Sequence, residues 1–204
     1  MPYYRQQKDV FSEAYLTDLR GQICACRYFA VNNLNRDFVG TKGFSIAFRH
    51  SGRSQVEAQF PYFKPYLDQA LQPDCNAFYL NPLLLKGGSR VDPHIDRSLR
   101  SYCKTIEPPS CVSVLYVQVP EPLQGGDLVL RNHRQQVGQI RPRVNTLVWF
   151  QGDLTHSING MKTEGDRLSL VCEQYRLCDR ELHDIPEFTI ESRAKIESRT
   201  RVTK

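Results

Sequence analysis

The sequence has no run approaching the roughly 18 consecutive apolar residues that a membrane-spanning helix needs. Its opening, MPYYRQQKD, also lacks the apolar stretch after basic residues that marks a secretory signal. A soluble, cytoplasmic protein with no membrane partner is expected. With 12 glycines and 12 prolines there is no collagen-like or low-complexity signature, and no internal repeat or linker-like shift in composition interrupts the chain. Seven cysteines form an odd, scattered set, which argues for reduced thiols rather than a disulfide framework. Cys24-x-Cys26 lacks a second pair at zinc-finger spacing, so half-buried free thiols are expected there.

The 204 residues are 40% hydrophobic and 24% charged, which is enough apolar material for one core and argues against general disorder. A formal net charge of +5 would help an anionic ligand or a nucleic acid approach without choosing between them. The basic excess is diffuse except near the end, where Arg193, Lys195, Arg199, Arg201 and Lys204 read as a solvated, frayed terminus.

The pattern predicts one α+β domain over residues 1–204. Residues 1–74 read as helix and loop support, about 75–176 as a β-core, and 179–204 as a C-terminal tail. Phe11, Tyr15, Leu19 and Ile23 recur at helical spacing, and so do Phe60, Phe63, Tyr66, Leu67, Ala70 and Leu71 between Pro61 and Pro73. Phe44, Ile46 and Phe48 alternate as on a strand. From Cys75 onward about eight short β-rich runs are separated by turn residues: 77–85, 91–96, 111–119, 127–131, 136–140, 146–150, 156–159 and 167–175. That many strands imply a sandwich, jelly roll or barrel with helices packed outside.

The chemistry-bearing segment is Val91-Asp92-Pro93-His94-Ile95-Asp96. Residues two apart on a strand share a face, so His94 and Asp96 can aim an imidazole nitrogen and a carboxylate oxygen at one point. Asp92 lies equally near His94, and spacing alone leaves both carboxylates open. A third ligand is available at His156, where the apolar strand Val148-Trp149-Phe150 runs through a polar turn. Two histidines and one carboxylate leave open positions on an octahedral metal, the pattern of non-haem Fe(II) oxygenases rather than of a closed zinc site. Arg167 opens a strand after the turn-rich 160–165, and Ser169 shares its face. A buried guanidinium needs an anion, and its fork matches a carboxylate. A structural partner such as Asp166 or Asp153 is the plainer alternative.

His94-x-Asp96, Gly125-Gly126-Asp127-Leu128 before a strand, Leu147-Val148-Trp149-Phe150 leading to His156, and Arg167-x-Ser169 form an ordered set. In that order they resemble the Fe(II)/2-oxoglutarate-dependent dioxygenases, particularly the prolyl-4-hydroxylase-like branch, over about residues 75–176. The resemblance implies a double-stranded β-helix (jelly-roll) core with flanking N-terminal helices. It implies that His94, Asp96 and His156 hold Fe(II), with 2-oxoglutarate and O2 as cosubstrates and ascorbate as an optional reductant. Arg167 would pair with the distal carboxylate of 2-oxoglutarate, helped by Ser169. Tyr79 looks like the tyrosine that relatives place on a strand before the His-x-Asp to contact that cosubstrate, although Asn81-Pro82 and the loop Lys86–Arg90 depart from the family pattern. Tyr116 is a second candidate.

The implied reaction is hydroxylation of an unactivated C–H of an amino acid, small metabolite or protein residue, with release of succinate and CO2. Halogenases of this kind lack the carboxylate ligand, a position that Asp96 fills. Nucleic acid is disfavoured as a partner, because the demethylase branch has Asn and Arg where Ser169 and Glu173 stand. The competing class is a jelly-roll metal-binding or sensor module without turnover. The loop Leu99–Pro109 is expected to shape the substrate entrance, and Arg97, Arg100 and Arg131 are candidates to meet an acidic substrate group. His50, His133 and His183 are assigned no role.

Overall fold

The computed structural model describes residues 2–32 and 37–194. Lys195, Arg199, Arg201 and Lys204 of the basic terminus lie outside the described residues. In chain order the elements are β1 (Tyr4–Lys8), α1 (Glu13–Ala25), β2 (Ala30–Asn32), β3 (Phe38–Gly43), β4 (Ser45–Arg49), α2 (Arg53–Gln59), α3 (Lys64–Ala70) and β5 (Ala77–His94). They continue with β6 (Cys111–Gln118), β7 (Leu128–Asn132), β8 (Gln135–Ile140), β9 (Thr146–Gln151), β10 (Thr155–Ile158), β11 (Arg167–Tyr175), α4 (Asp179–Asp184) and β12 (Phe188–Glu191). Among the described residues no helix is long and apolar enough to cross a membrane.

All pairings are antiparallel, in the order β1-β9-β6-β11-β5-β10-β7-β8, with β3 and β4 on the other edge of β5 and β12 beyond β4. Strand β5 links the two layers. Its first half pairs with β11, from Ala77↔Tyr175 to Leu85↔Arg167, and its far end pairs with β10, His94 opposite His156. The result is the jelly-roll double-stranded β-helix. Side-chain alternation then divides the core. Leu168, Leu170 and Cys172 of β11, with Leu147 and Trp149 of β9, face α1, α3 and the 3₁₀ turn Pro61–Phe63 in one cluster. Val112, Val114, Tyr116, Val148 and Phe150 face the interior in another.

Helix α1 starts at Ser12, whose hydroxyl accepts from the backbone N–H of Tyr15 as an N-cap. It buries Leu16, Leu19 and Ile23. The indole N–H of Trp149 donates to the Ala70 carbonyl at 3.0 Å, tying β9 to the end of α3.

Three expectations change. Residues 86–89 bulge out within β5 rather than separating two strands, because β3 pairs on both sides of them, Thr41↔Leu85 and Val39↔Arg90, with a shift of register between. The C-terminal tail expected over 179–204 is folded onto the core up to residue 191. Arg49 donates to the carbonyls of Ile185 and His183, Ile185 is fully buried, and β12 pairs with β4. The stretch Leu99–Pro109 is anchored by buried Leu99, Cys103 and Ile106 rather than open, and adds only Ser101 to the lining of the central cavity, beside Ser98 that precedes it.

Candidate active site

A cavity of about 320 Å³ opens between the two strand layers. His94 ends β5 and His156 sits opposite it on β10, with ring centroids 4.4 Å apart. Asp96, two residues past the end of β5, reaches back between them. Its Oδ1 lies 3.2 Å from Nε2 of His94 and its Oδ2 3.3 Å from Nε2 of His156. Asp92 is directed elsewhere, its carboxylate pairing with Arg90 at 2.9 Å on the surface.

Both rings are oriented through their other nitrogen. Nδ1 of His94 lies 2.8 Å from the Asp92 carbonyl and Nδ1 of His156 lies 3.2 Å from the Leu154 carbonyl, so each Nδ1–H donates and each Nε2 is turned toward Asp96. Burial opposes ionisation of Asp96, but His156 and His94 outweigh it and hold the carboxyl below its usual range. Burial alone would lower the pKa of His94, but Asp96 raises it.

One ligand atom from each of these three residues lies within 4.8 Å of the others. Metal–ligand bonds of about 2.0–2.2 Å would bring such a set onto one ion. Buried Oδ2 of Asp96 makes no aligned hydrogen bond despite its short distance to His156, as expected when both atoms aim at a common point rather than at each other. The donor set fits a 2-His-1-carboxylate metal centre with open positions.

Arg167, at the start of β11, is 1% exposed and has no carboxylate within 4.0 Å among the described residues. One terminal nitrogen, Nη1, donates to the Gly126 carbonyl at 2.6 Å, while Nε has no partner. Burial pulls its pKa down. Gly125 and Gly126 hold positive φ of 75° and 72°, and a Cβ on Gly125 would lie 2.1 Å from the Gly160 carbonyl oxygen, so this turn requires glycine. The Tyr116 ring lies 5.0 Å from the Arg167 guanidinium, and the Tyr116 hydroxyl and Ser169 Oγ are both buried without a hydrogen bond. Thr146, the cross-strand partner of Tyr116, has a third orphaned hydroxyl, which its strand pattern did not flag.

Tyr79 sits elsewhere. It pairs with Glu173, six residues from Arg167 on β11, about 20 Å at an antiparallel strand's rise. Its hydroxyl donates to Glu191 at 2.8 Å. Tyr116 is therefore the tyrosine brought beside Arg167. Arg97 lines the cavity, whereas Arg100 donates to the Ile106 carbonyl in a structural role and Arg131 is exposed on β7. The cavity residues that sequence reading missed include Asn81, Glu173 and Glu191. They come from three distant strands, and none carries a local motif.

Residues 79–172 match the family model described as the 2OG-Fe(II) oxygenase superfamily. No curated protein sequence matches the chain. Among solved structures, a Pseudomonas putida prolyl-4-hydroxylase is similar at 16% identity and TM-score 0.57, covering 87% of this chain and 95% of that one. A Trichoplax adhaerens prolyl hydroxylase in complex with a hypoxia inducible factor peptide fragment is similar at 14% identity and TM-score 0.56, covering 90% and 87%. HygX from Streptomyces hygroscopicus, with nickel and 2-oxoglutarate bound, gives 14% identity and TM-score 0.50, covering 84% and 82%. At these identities the structural likeness speaks for the fold, and the family model speaks for the core that carries the ligand set. The family match thus covers residues 79–172, the core that carries the ligand set, and the chain shares the fold of the prolyl-4-hydroxylases.

Proposed function

We propose that the protein hydroxylates an unactivated C–H bond of an amino acid, a small metabolite or a protein residue, converting 2-oxoglutarate and O2 to succinate and CO2 as it does so. One observation carries this reading beyond metal binding. Arg167 is a buried guanidinium with no carboxylate partner among the described residues, beside orphaned hydroxyls of Ser169 and Tyr116. A metal store has no use for an uncompensated buried cation, whereas a dicarboxylate cosubstrate supplies its counterion.

In this reading His94, Asp96 and His156 hold ferrous iron. When bound, the iron supplies the redox chemistry by which O2 is reduced and the C–H bond oxidised. The protein's own groups do the rest. Arg167 fixes the distal carboxylate of 2-oxoglutarate by charge-assisted hydrogen bonds, with its guanidinium held in plane by the Gly126 carbonyl. Ser169 and Tyr116 donate to the same carboxylate, and their hydroxyls lose their orphan status only when it is present. The Asp92 and Leu154 carbonyls keep the Nδ1 protons in place, so that both Nε2 atoms remain free to ligate. Val114, Leu128, Phe150 and Ile158 form apolar walls that exclude water from the reacting atoms.

The test is succinate formation from 2-oxoglutarate in air with added Fe(II), measured on the parent protein and on Arg167→Ala. Turnover that collapses in the variant supports the reading. Iron binding without succinate formation, in parent and variant alike, moves the non-catalytic metal module ahead.

A further inference from the structure

Along β11 away from Arg167, the cavity wall changes sign. Glu173 and Glu191 both line it, and neither makes an ion pair among the described residues. Both are held by neutral donors. Glu173, 5% exposed, accepts from the Ser98 backbone N–H at 3.1 Å, from the Ser98 hydroxyl and from the Tyr175 hydroxyl. Glu191 accepts from Tyr79 at 2.8 Å and from Tyr102. The two carboxylates sit close enough that both act on the Tyr79 hydroxyl. Five neutral donor groups on four residues thus orient two acids that pair with no cation among the described residues; Arg97, exposed at the same rim, pairs with neither.

Asn81 gives an independent pointer. It stands next to Tyr79 on the same face of β5, is 6% exposed and lines the cavity, yet its Oδ1 has no hydrogen-bond partner. A buried acceptor left unsatisfied costs about 1–3 kcal/mol, so an orphaned acceptor on a residue of the cavity wall favours a donor-bearing ligand there. Burial and the Asp96 carboxylate push the Glu173 carboxyl up to about 8, as expected of an acid with no cation beside it, so Glu191 carries the charge at this end while Glu173 and Asn81 Oδ1 add acceptor oxygens.

We infer that the primary substrate carries a cationic nitrogen, an alkylammonium or guanidinium, which Glu191 and Glu173 bind while the carbon to be oxidised faces His94, Asp96 and His156. This rests on the hydroxylase reading for its purpose but not for its test, because binding is read without turnover. The two ends of the cavity then divide the work by charge. Arg167 selects a dicarboxylate, and the glutamate end selects a cation and rejects a second molecule of 2-oxoglutarate.

The test uses propylguanidinium and its neutral isostere propylurea, together with n-butylammonium and butyrate, titrated against the purified full chain by ligand-observed NMR. The cations are expected to bind at least about tenfold more tightly than propylurea or butyrate, the scale of a charge-assisted hydrogen bond. Glu191→Gln and Glu173→Gln should each shrink that preference to about threefold or less, which is loss of roughly half the same energy. L-lysine and the tripeptide Gly-Lys-Gly, titrated in the same way, distinguish a free amine from a chain residue; Glu191-dependent binding of either supports the proposal. A 2-oxoglutarate titration on the same variants separates a misfolded protein or a failed cosubstrate reading from a failed cation site. Equal binding of propylurea, tighter binding of butyrate, absence of saturable cation binding, or a preference that survives both substitutions overturns the proposal.

Discussion

Replacing Arg167 with methionine should change stability and cosubstrate affinity in opposite directions. The guanidinium is 1% exposed and has no counterion among the described residues, so without 2-oxoglutarate the fold carries the desolvation cost of an uncompensated charge. Substitution of buried ionic groups by apolar ones of similar volume often gains about 1–4 kcal/mol. Against that stands the hydrogen bond to the Gly126 carbonyl, whose loss returns about 1 kcal/mol. The difference, a net gain of about 0–3 kcal/mol, raises Tm by up to about 12 °C in a chain of this size. The parent recovers this and more when cosubstrate binds, because a ligand at about 100 times its Kd adds about 2.7 kcal/mol. Differential scanning fluorimetry of metal-loaded parent and variant, with and without 2-oxoglutarate, reads both effects. The variant should melt higher without cosubstrate and gain nothing from it. A variant that melts lower and still responds to 2-oxoglutarate would refute the assignment of Arg167 as an anion site and make it a structural residue.

Asp96→Ala should abolish succinate formation and weaken metal binding by at least about tenfold, since it removes the only anionic ligand; equilibrium dialysis and an end-point succinate assay check both. Affinity for Mn(II), a redox-quiet probe, should rise with pH. His94 has its pKa raised by Asp96 and must lose a proton to ligate, so binding tightens as pH climbs through that raised value; calorimetry that finds flat affinity from pH 6 to 8 contradicts this. The metal-free fold should lose stability as pH falls below about 4, because the Asp96 carboxyl is held below its unfolded value and its stabilising charge is present only above that range; acid titration by circular dichroism reads it. Gly125→Ala should cost about 2 kcal/mol or more, from a positive φ and a Cβ contact of 2.1 Å with a backbone oxygen. It should also weaken 2-oxoglutarate binding, because the shifted turn carries the Gly126 carbonyl that holds Arg167.

What could be read from the sequence follows how locally each feature is encoded. Strands β6, β7, β9 and β11 carry apolar residues that the two core faces demand, and their bounds lie within about a residue or two of the pattern. Strand β1, Tyr-Arg-Gln-Gln-Lys, is exposed at four of five positions, and its place beside β9 comes from backbone pairing that composition does not mark. Gly87 and Gly88 read as a break between two strands, and they do interrupt the ladder, but as a bulge, because β3 pairs with β5 on both sides of them. The helix expected over Phe60–Leu71 divides into a 3₁₀ turn at Pro61 and α3 from Lys64, with Pro65 in the first turn, where its missing N–H costs nothing. At the site, His94, Asp96 and His156 were legible because two of the three lie two residues apart and the third follows a recognisable strand. Asn81, Glu173 and Glu191 were not, because strand pairing and a strand near residue 190 bring them together across more than a hundred residues.

The central claim is that 2-oxoglutarate binds in one cavity both to a metal held by His94, Asp96 and His156 and to Arg167. Anaerobic titration of the metal-free protein with Fe(II) and then 2-oxoglutarate tests it most directly, by way of the visible charge-transfer band of a bidentate complex. The account predicts a band that needs both components, is absent in Asp96→Ala and weakens at least about tenfold in apparent affinity in Arg167→Ala, the scale of a lost charge-assisted pair. Bound iron with no band, or a band of unchanged affinity in Arg167→Ala, would contradict it.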